Sequence, residues 1–189
     1  NTLCGEPLSS QDLLLLAASL EGHPDNVAAS LLGGCQIVAP HGDGLITAQV
    51  TLPQGLRAVI FIPDQAMPTA QARSLLSPQV SREDAVFNLA RVAPLVNALA
   101  TGQAEHLRVA TQDRLHQPQR RALFPAMDLI FRAALDAGAL GAFLSGAGSS
   151  ILALAQNREM TVGYEMADIA DKSGVTGTIH IADLSTQGA

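Results

Sequence analysis

The chain has 189 residues, 48% hydrophobic and 3% aromatic, without tryptophan. That suffices for one large or two small domains around a core of Ala, Leu and Val, and it excludes a disordered chain. A net charge of −6 argues against a nucleic-acid binder, which needs a basic surface to displace counterions, while a small anion could still meet local arginines.

In chain order, Ser9 or Ser10 is placed to cap a first helix over about 11–20, which Gly22 and Pro24 end. Pro24 suits the first turn of a second helix, Asp25 to Leu32, and Gly33 and Gly34 close it. CQIVA (35–39) reads as a strand, HGDG as a turn and 45–52 as a second strand. After Pro53 and Gly55 the run RAVIFIP predicts a strand buried in a sheet. A short helix is expected at about 69–76. Ser81 with Asp84 three residues on resembles a capping box opening a long helix to about Leu99, stopped by Gly102.

Residues 105–111 read as helical, Pro118 and Pro125 punctuate the next region, and 126–136 is a helix closed by Gly138. A strand at 141–144, the loop SGAGSS, a strand at 151–155, a helix at 160–172 and a strand at 176–181 complete the chain. The order predicts a boundary near Pro53 and an α+β second unit with helices on one face of a mostly antiparallel sheet.

The cysteines Cys4 and Cys35 form no CxxC pair and no disulfide framework, and the histidines match no zinc spacing. The longest apolar run, Leu13 to Ala18, is too short for a membrane span, and no segment reads as a signal peptide. A cytoplasmic setting without membrane or nucleic-acid partner is expected. The opening NTLCGEPLSS, with Asn1 first, reads as the interior of a longer protein, and this chain as a fragment of it.

Four stretches can carry chemistry. In EGHPDNVAASLLGG (21–34), Asp25 and Asn26 fall at a helix N-terminus, where N–H groups and the dipole favour anions. Either is simply a helix cap beside a solvated Glu21, or the turn is a corner where Glu21 holds Mg²⁺ through oxygen and Asp25 and Asn26 face a polar substrate. In MPTAQAR (67–73), Thr69 and Arg73 share a helix face; the plainer reading is a cap and a surface arginine. DRLHQPQRR (113–121) is either charge around a proline turn or a solvated loop. LSGAGSSILAL (144–154) is a small-residue loop between strands, open to close approach by a ligand. It is neither a lysine-bearing P-loop, a dinucleotide fingerprint nor a nucleophile elbow.

Together EGHPDNVAASLLGG, PTAQAR, DAVFNLARVAPLVNAL, DRLHQPQRRALFP and GALGAFLSGAGSSILAL resemble the homoserine kinases of the GHMP kinase superfamily, in order and spacing along nearly the whole chain. LEGHPDN and DRLHQP are the family-specific parts, and SGAG is shared across the superfamily.

The resemblance implies the GHMP kinase fold. Residues 1–53 would be the end of an N-terminal lobe like ribosomal protein S5 domain 2, and 54–189 a ferredoxin-like C-terminal lobe. It implies ATP and Mg²⁺ as cofactors and L-homoserine as the small-molecule substrate, phosphorylated on its hydroxyl for threonine biosynthesis. Glu21 matches the metal ligand, and Asp25 and Asn26 the pair facing homoserine. Thr69 and Arg73 match the P-T-x-x-A-R segment, Arg120 the arginine after H-Q-P, and Gly146 and Gly148 the third superfamily motif, read as cofactor-binding. Asp25, Asn26 and Arg120 are the expected catalytic set.

Three departures stand out. Ser149 replaces the proline of SGAGPS, Ala70 and Gln71 are neutral where basic residues are common, and the phosphate loop P-x-x-x-G-L-G-S-S-A does not occur. The loop would lie before Asn1, so the isolated chain is expected to bind ATP poorly and to be inactive. Alternatives are a GHMP kinase for another small alcohol, or a non-catalytic ferredoxin-like module that binds an amino acid or dimerises. A homodimer is left open.

Overall fold

The structure is a computed structural model describing residues 2–65, 67 and 69–189. It divides into two compact units, one running to Leu52 and joined by Leu184–Ala189, the other Pro53–Asp183.

The first unit holds α1 (Ser10–Glu21), α2 (Asp25–Leu32) and a hairpin of β1 (Cys35–His41) and β2 (Gly44–Val50). Ser9 caps α1, its hydroxyl accepting from the Asp12 N–H at 3.1 Å, and Gly22 ends it in the left-handed region at φ 88°. The hairpin is antiparallel from Cys35 opposite Val50 to His41 opposite Gly44. Its turn needs the positive φ of 57° at Gly42. β1 runs through Pro40, beyond the expected end at Ala39. In a two-stranded sheet each strand keeps a free edge, which tolerates a missing N–H.

The chain's last residues return to this unit, which a single cut near Pro53 leaves out. The Gly34 N–H donates to Ser185 O at 3.0 Å and the Ala189 N–H to Ser30 O at 2.9 Å. Gly33, at φ 76°, has no room for a Cβ, which would press on the Gln187 backbone. Gly33→Ala is therefore expected to destabilise this unit by more than about 1 kcal/mol. Faster proteolysis of the tail, compared with wild type, checks it.

The second unit contains β3 (Arg57–Pro63), α3 (Thr69–Ser74), α4 (Arg82–Thr101), α5 (Leu107–Ala110), α6 (Gln117–Arg120), α7 (Met127–Asp136), β4 (Gly141–Leu144), β5 (Ile151–Ala155), α8 (Glu159–Lys172) and β6 (Gly177–Asp183). The sheet order is β4-β5-β3-β6, every pair antiparallel. RAVIFIP reads as continuously apolar because β3 is an inner strand: Val59 lies opposite Ala153 on one side and Ile181 on the other.

The apolar stripe Met127, Ile130 and Ala134 of α7 packs with Val162, Met166 and Ala170 of α8 onto Val59, Phe61, Ile151 and Ala153. Such helical spacing places each set on one face. Gly163 lets α8 approach, since a Cβ there would stand 2.9 Å from the Ile179 methyl. Ser81 caps α4 through the Asp84 N–H at 3.0 Å, and Gly102 ends it at φ 75°. No helix among the described residues is long and apolar enough to cross a membrane.

Candidate active site

The glycine-rich loop and α6 form one assembly. Asp113, four residues before Gln117, ties down the start of α6 with both carboxylate oxygens. One accepts from the Leu115 N–H at 3.0 Å, the other from His116 at 2.8 Å and Gln117 at 2.6 Å. Pro118 sits in the first turn, where its missing N–H leaves nothing unpaired.

Gln117 and Arg120 are three apart, hence on one face, and that face meets the loop. The Gln117 side-chain oxygen accepts from the Leu144 N–H at 2.8 Å, and Arg120 Nη1 donates to Gly146 O at 3.0 Å. The loop closes on itself through Ser145 N–H to Ser150 O at 2.9 Å and Gly148 N–H to Ser145 O at 3.0 Å.

The DRLHQPQRR stretch is thus docked rather than a solvated loop. The Asn88 side chain on α4 donates to Asp113 at 2.7 Å and accepts from the Arg114 N–H at 2.9 Å. Arg114 stacks over the Phe87 ring at 4.0 Å and pairs with Glu83 at 3.1 Å.

Arg120 is 6% exposed, the buried charged residue among those described. Its Nε–H has no hydrogen-bond partner among them, and leaving a buried donor unpaired costs about 1–3 kcal/mol. Burial pulls the guanidinium below its ordinary value, the Asp113 charge opposes this, and Arg73 pushes the same way. Two arginines thus repel each other here, and one carries an idle donor. Such a pair of cations suits an anion, and planar guanidinium groups suit a carboxylate.

Asp113 itself is held below the ordinary carboxylate range. Burial raises it, and the Asn88 and backbone hydrogen bonds together outweigh burial. A depressed folded value means the stabilisation is present above the ordinary carboxylate pKa of about 3.9 and lost as pH falls through the folded value. Asp113→Asn is expected to flatten the acid limb of the stability curve, read by urea unfolding from about pH 7 to about pH 2.

The other expected residues are placed as follows. Arg73 lies exposed in the last turn of α3. Thr69 begins that helix, but its side chain, like all of Pro68, lies outside the described residues. Gly148, at φ 86°, is explained from within: a Cβ would stand 2.5 Å from Met67 Cε and 3.2 Å from Leu144. Gly146, at φ 56°, has open space at its Cβ position, so a ligand can approach its backbone.

In the first unit, Glu21 ends α1 and is exposed. Pro24, not Asp25 or Asn26, occupies the N-cap position of α2, its carbonyl accepting from the Ala28 N–H at 2.8 Å. Asp25 accepts from its neighbour's N–H, that of Asn26, at 2.9 Å, and both side chains are exposed at the helix start. Capping therefore does not account for this acid–amide pair.

Asn88, Asp113 and Gln117 were not among the residues expected from sequence. The signal available was an Asp five residues before a proline, a capping arrangement. Nothing local marks Asn88.

For Mg²⁺, no group of three or more His, Cys, Asp or Glu among the described residues could hold a metal. Magnesium bound by one carboxylate, waters and phosphate oxygens needs no such group. Glu21 fits that role, since the C-terminal end of α1 favours a cation.

Comparison with known proteins gives the following likenesses. The family described as GHMP kinases C terminal matches residues 95–160. A homoserine kinase from Microchaete diplosiphon is 42% identical over the whole chain, which spans 62% of that protein. One from Gloeobacter violaceus is 49% identical over 82% of this chain and 51% of its own length. The crystal structure of homoserine kinase from Cytophaga hutchinsonii superposes with a TM-score of 0.92 at 32% identity, covering all of this chain and 62% of that one. The chain thus spans less than two thirds of the length of these relatives.

Proposed function

We propose that the protein is an ATP-dependent homoserine kinase: the whole of this chain aligns with 62% of the length of a homoserine kinase, and the family described as GHMP kinases C terminal matches residues 95–160. The hydroxyl oxygen of L-homoserine forms a bond to the γ-phosphorus of ATP and the bond to the β-phosphate oxygen breaks. ADP leaves, the hydroxyl proton is released, and O-phospho-L-homoserine is the product, on the route to threonine in the cytoplasm.

The observation that carries this reading is Arg120, a buried guanidinium with an idle N–H beside the glycine-rich loop and under the repulsion of Arg73. Arg120 and Arg73 hold the substrate carboxylate, and the resemblance adds Thr69. For Asp25 and Asn26 the reading rests on the family resemblance alone, which gives Asp25 the ammonium group and Asn26 the hydroxyl. Phosphoryl transfer proceeds largely by positioning and electrostatic stabilisation, so no strong base is required of Asp25. The backbone at Gly146 and Gly148 approaches the nucleotide phosphates. Glu21 holds Mg²⁺, which when bound neutralises charge developing on the transferred group.

The test is Mg²⁺-dependent ADP release by the full-length protein with L-homoserine, L-serine, L-threonine and mevalonate as acceptors. Release selective for L-homoserine is expected. Selective turnover of mevalonate would move the protein to another GHMP kinase activity. A folded protein inactive with every acceptor would favour a non-catalytic amino-acid-binding module.

A further inference from the structure

We propose that Asp113 is a positioning residue for this reaction, the hub of a clamp from Asn88 through α6 to the glycine-rich loop. It acts by fixing Arg120 and Gln117. The inference rests on the kinase reading above for its effect on turnover, but not for its geometry.

Asp113 is not itself available to a ligand. The Asn88 side chain at 2.7 Å and the N–H groups of Leu115, His116 and Gln117 at 3.0, 2.8 and 2.6 Å occupy its acceptor positions. Its work is mechanical and electrostatic. It winds the single turn that puts Gln117 under the Leu144 N–H and Arg120 under the Gly146 carbonyl. It also supplies the negative charge that offsets the burial of Arg120.

A four-residue helix does not hold itself, because nucleation is unfavourable at that length. The position of Arg120 is therefore imposed by what ties α6 at its ends. At one end this is Asp113, anchored to α4 by Asn88; at the other it is the loop. α4 and the loop belong to separate elements, so Asp113 couples a rigid scaffold to the residues facing substrate.

Asp113→Asn preserves shape but not the clamp. Whichever way the amide turns, its NH₂ faces donors that need an acceptor. In the full-length protein we expect kcat/KM for L-homoserine to fall on the order of 100-fold, carried mainly by a raised KM for L-homoserine, with a smaller rise in KM for ATP through the loosened loop. Combined with Arg120→Ala, it should raise KM for L-homoserine no further than Arg120→Ala alone, because Asp113 acts on the acceptor through that residue. A merely structural role would give additive losses.

Hydrogen–deuterium exchange supplies a readout independent of turnover. In Asp113→Asn, protection should fall at the amides of 115–117 and also at Leu144 and 145–150, while Ile151–Ala155 stays protected. Additive kinetic losses, or exchange confined to 115–117, would overturn the proposal. Should wild type turn over no homoserine, the kinase reading fails and exchange alone decides the clamp. Should Asp113→Asn not fold, Asn88→Ala, which removes one of the four donors, carries the same two measurements with a smaller expected loss.

Discussion

Arg120→Ala is expected to lower kcat/KM for L-homoserine by at least about 100-fold, the largest effect of any single change in the site. The reason is burial: at 6% exposure its interaction with an anionic substrate group is little screened by water, and truncating one partner of a buried charged pair costs about 2–5 kcal/mol. The loss should fall mainly on KM for the acceptor, with kcat little changed, since the carboxylate is bound in ground and transition states alike. Arg120→Lys should restore little, because an ammonium group cannot reach Gly146 O and a carboxylate in one plane as the guanidinium fork can. Arg73→Ala should cost less, since that side chain is exposed. Steady-state kinetics of the variants measures each loss. A loss at Arg120→Ala below about tenfold, in a folded protein, would remove it from the substrate site.

Phe61→Ala is expected to cost about 3–5 kcal/mol of stability, a large part of the roughly 5–15 kcal/mol available to a domain. Phe61 is 1% exposed on the inner strand β3, opposite Ile151 on one side and Ile179 on the other. Its ring fills the space a side chain at position 177 would occupy: a Cβ on Gly177 would stand 2.8 Å from two ring carbons. Ile151 and Ile179 are held by strand pairing and collapse little into the hole, so most of the cavity term remains. The shift in urea midpoint at constant slope measures it.

What was legible in the sequence is what short-range hydrogen bonds and periodicity encode. Ser9, Gly22, Ser81 and Gly102 announced the ends of α1 and α4 because a cap is a bond between residues three or four apart. RAVIFIP and the strand after SGAGSS, both inner strands, were legible as apolar runs, as was the edge strand GAFL before the loop. The clamp was not legible, because its bonds join residues 25 to 27 positions apart. α6 was missed for the same reason: one turn has no periodicity, and its existence depends on Asp113 and the loop. Gly33 and Gly34 read as a helix stop, whereas Gly33 also admits the returning tail. Among the site residues, the sequence pointed to Arg120 by motif. Its burial and idle Nε–H are properties of the fold.

The central claim is that a phosphoryl group is transferred to the hydroxyl of an amino acid. Phosphorus NMR of the full-length protein with ATP, Mg²⁺ and L-homoserine tests it most directly. Transfer to homoserine gives a new phosphate-monoester signal, coupled to the side-chain methylene of homoserine, growing in step with ADP and absent with L-serine. ADP formed with inorganic phosphate alone, or no change in the ATP signals by a folded protein, would contradict it.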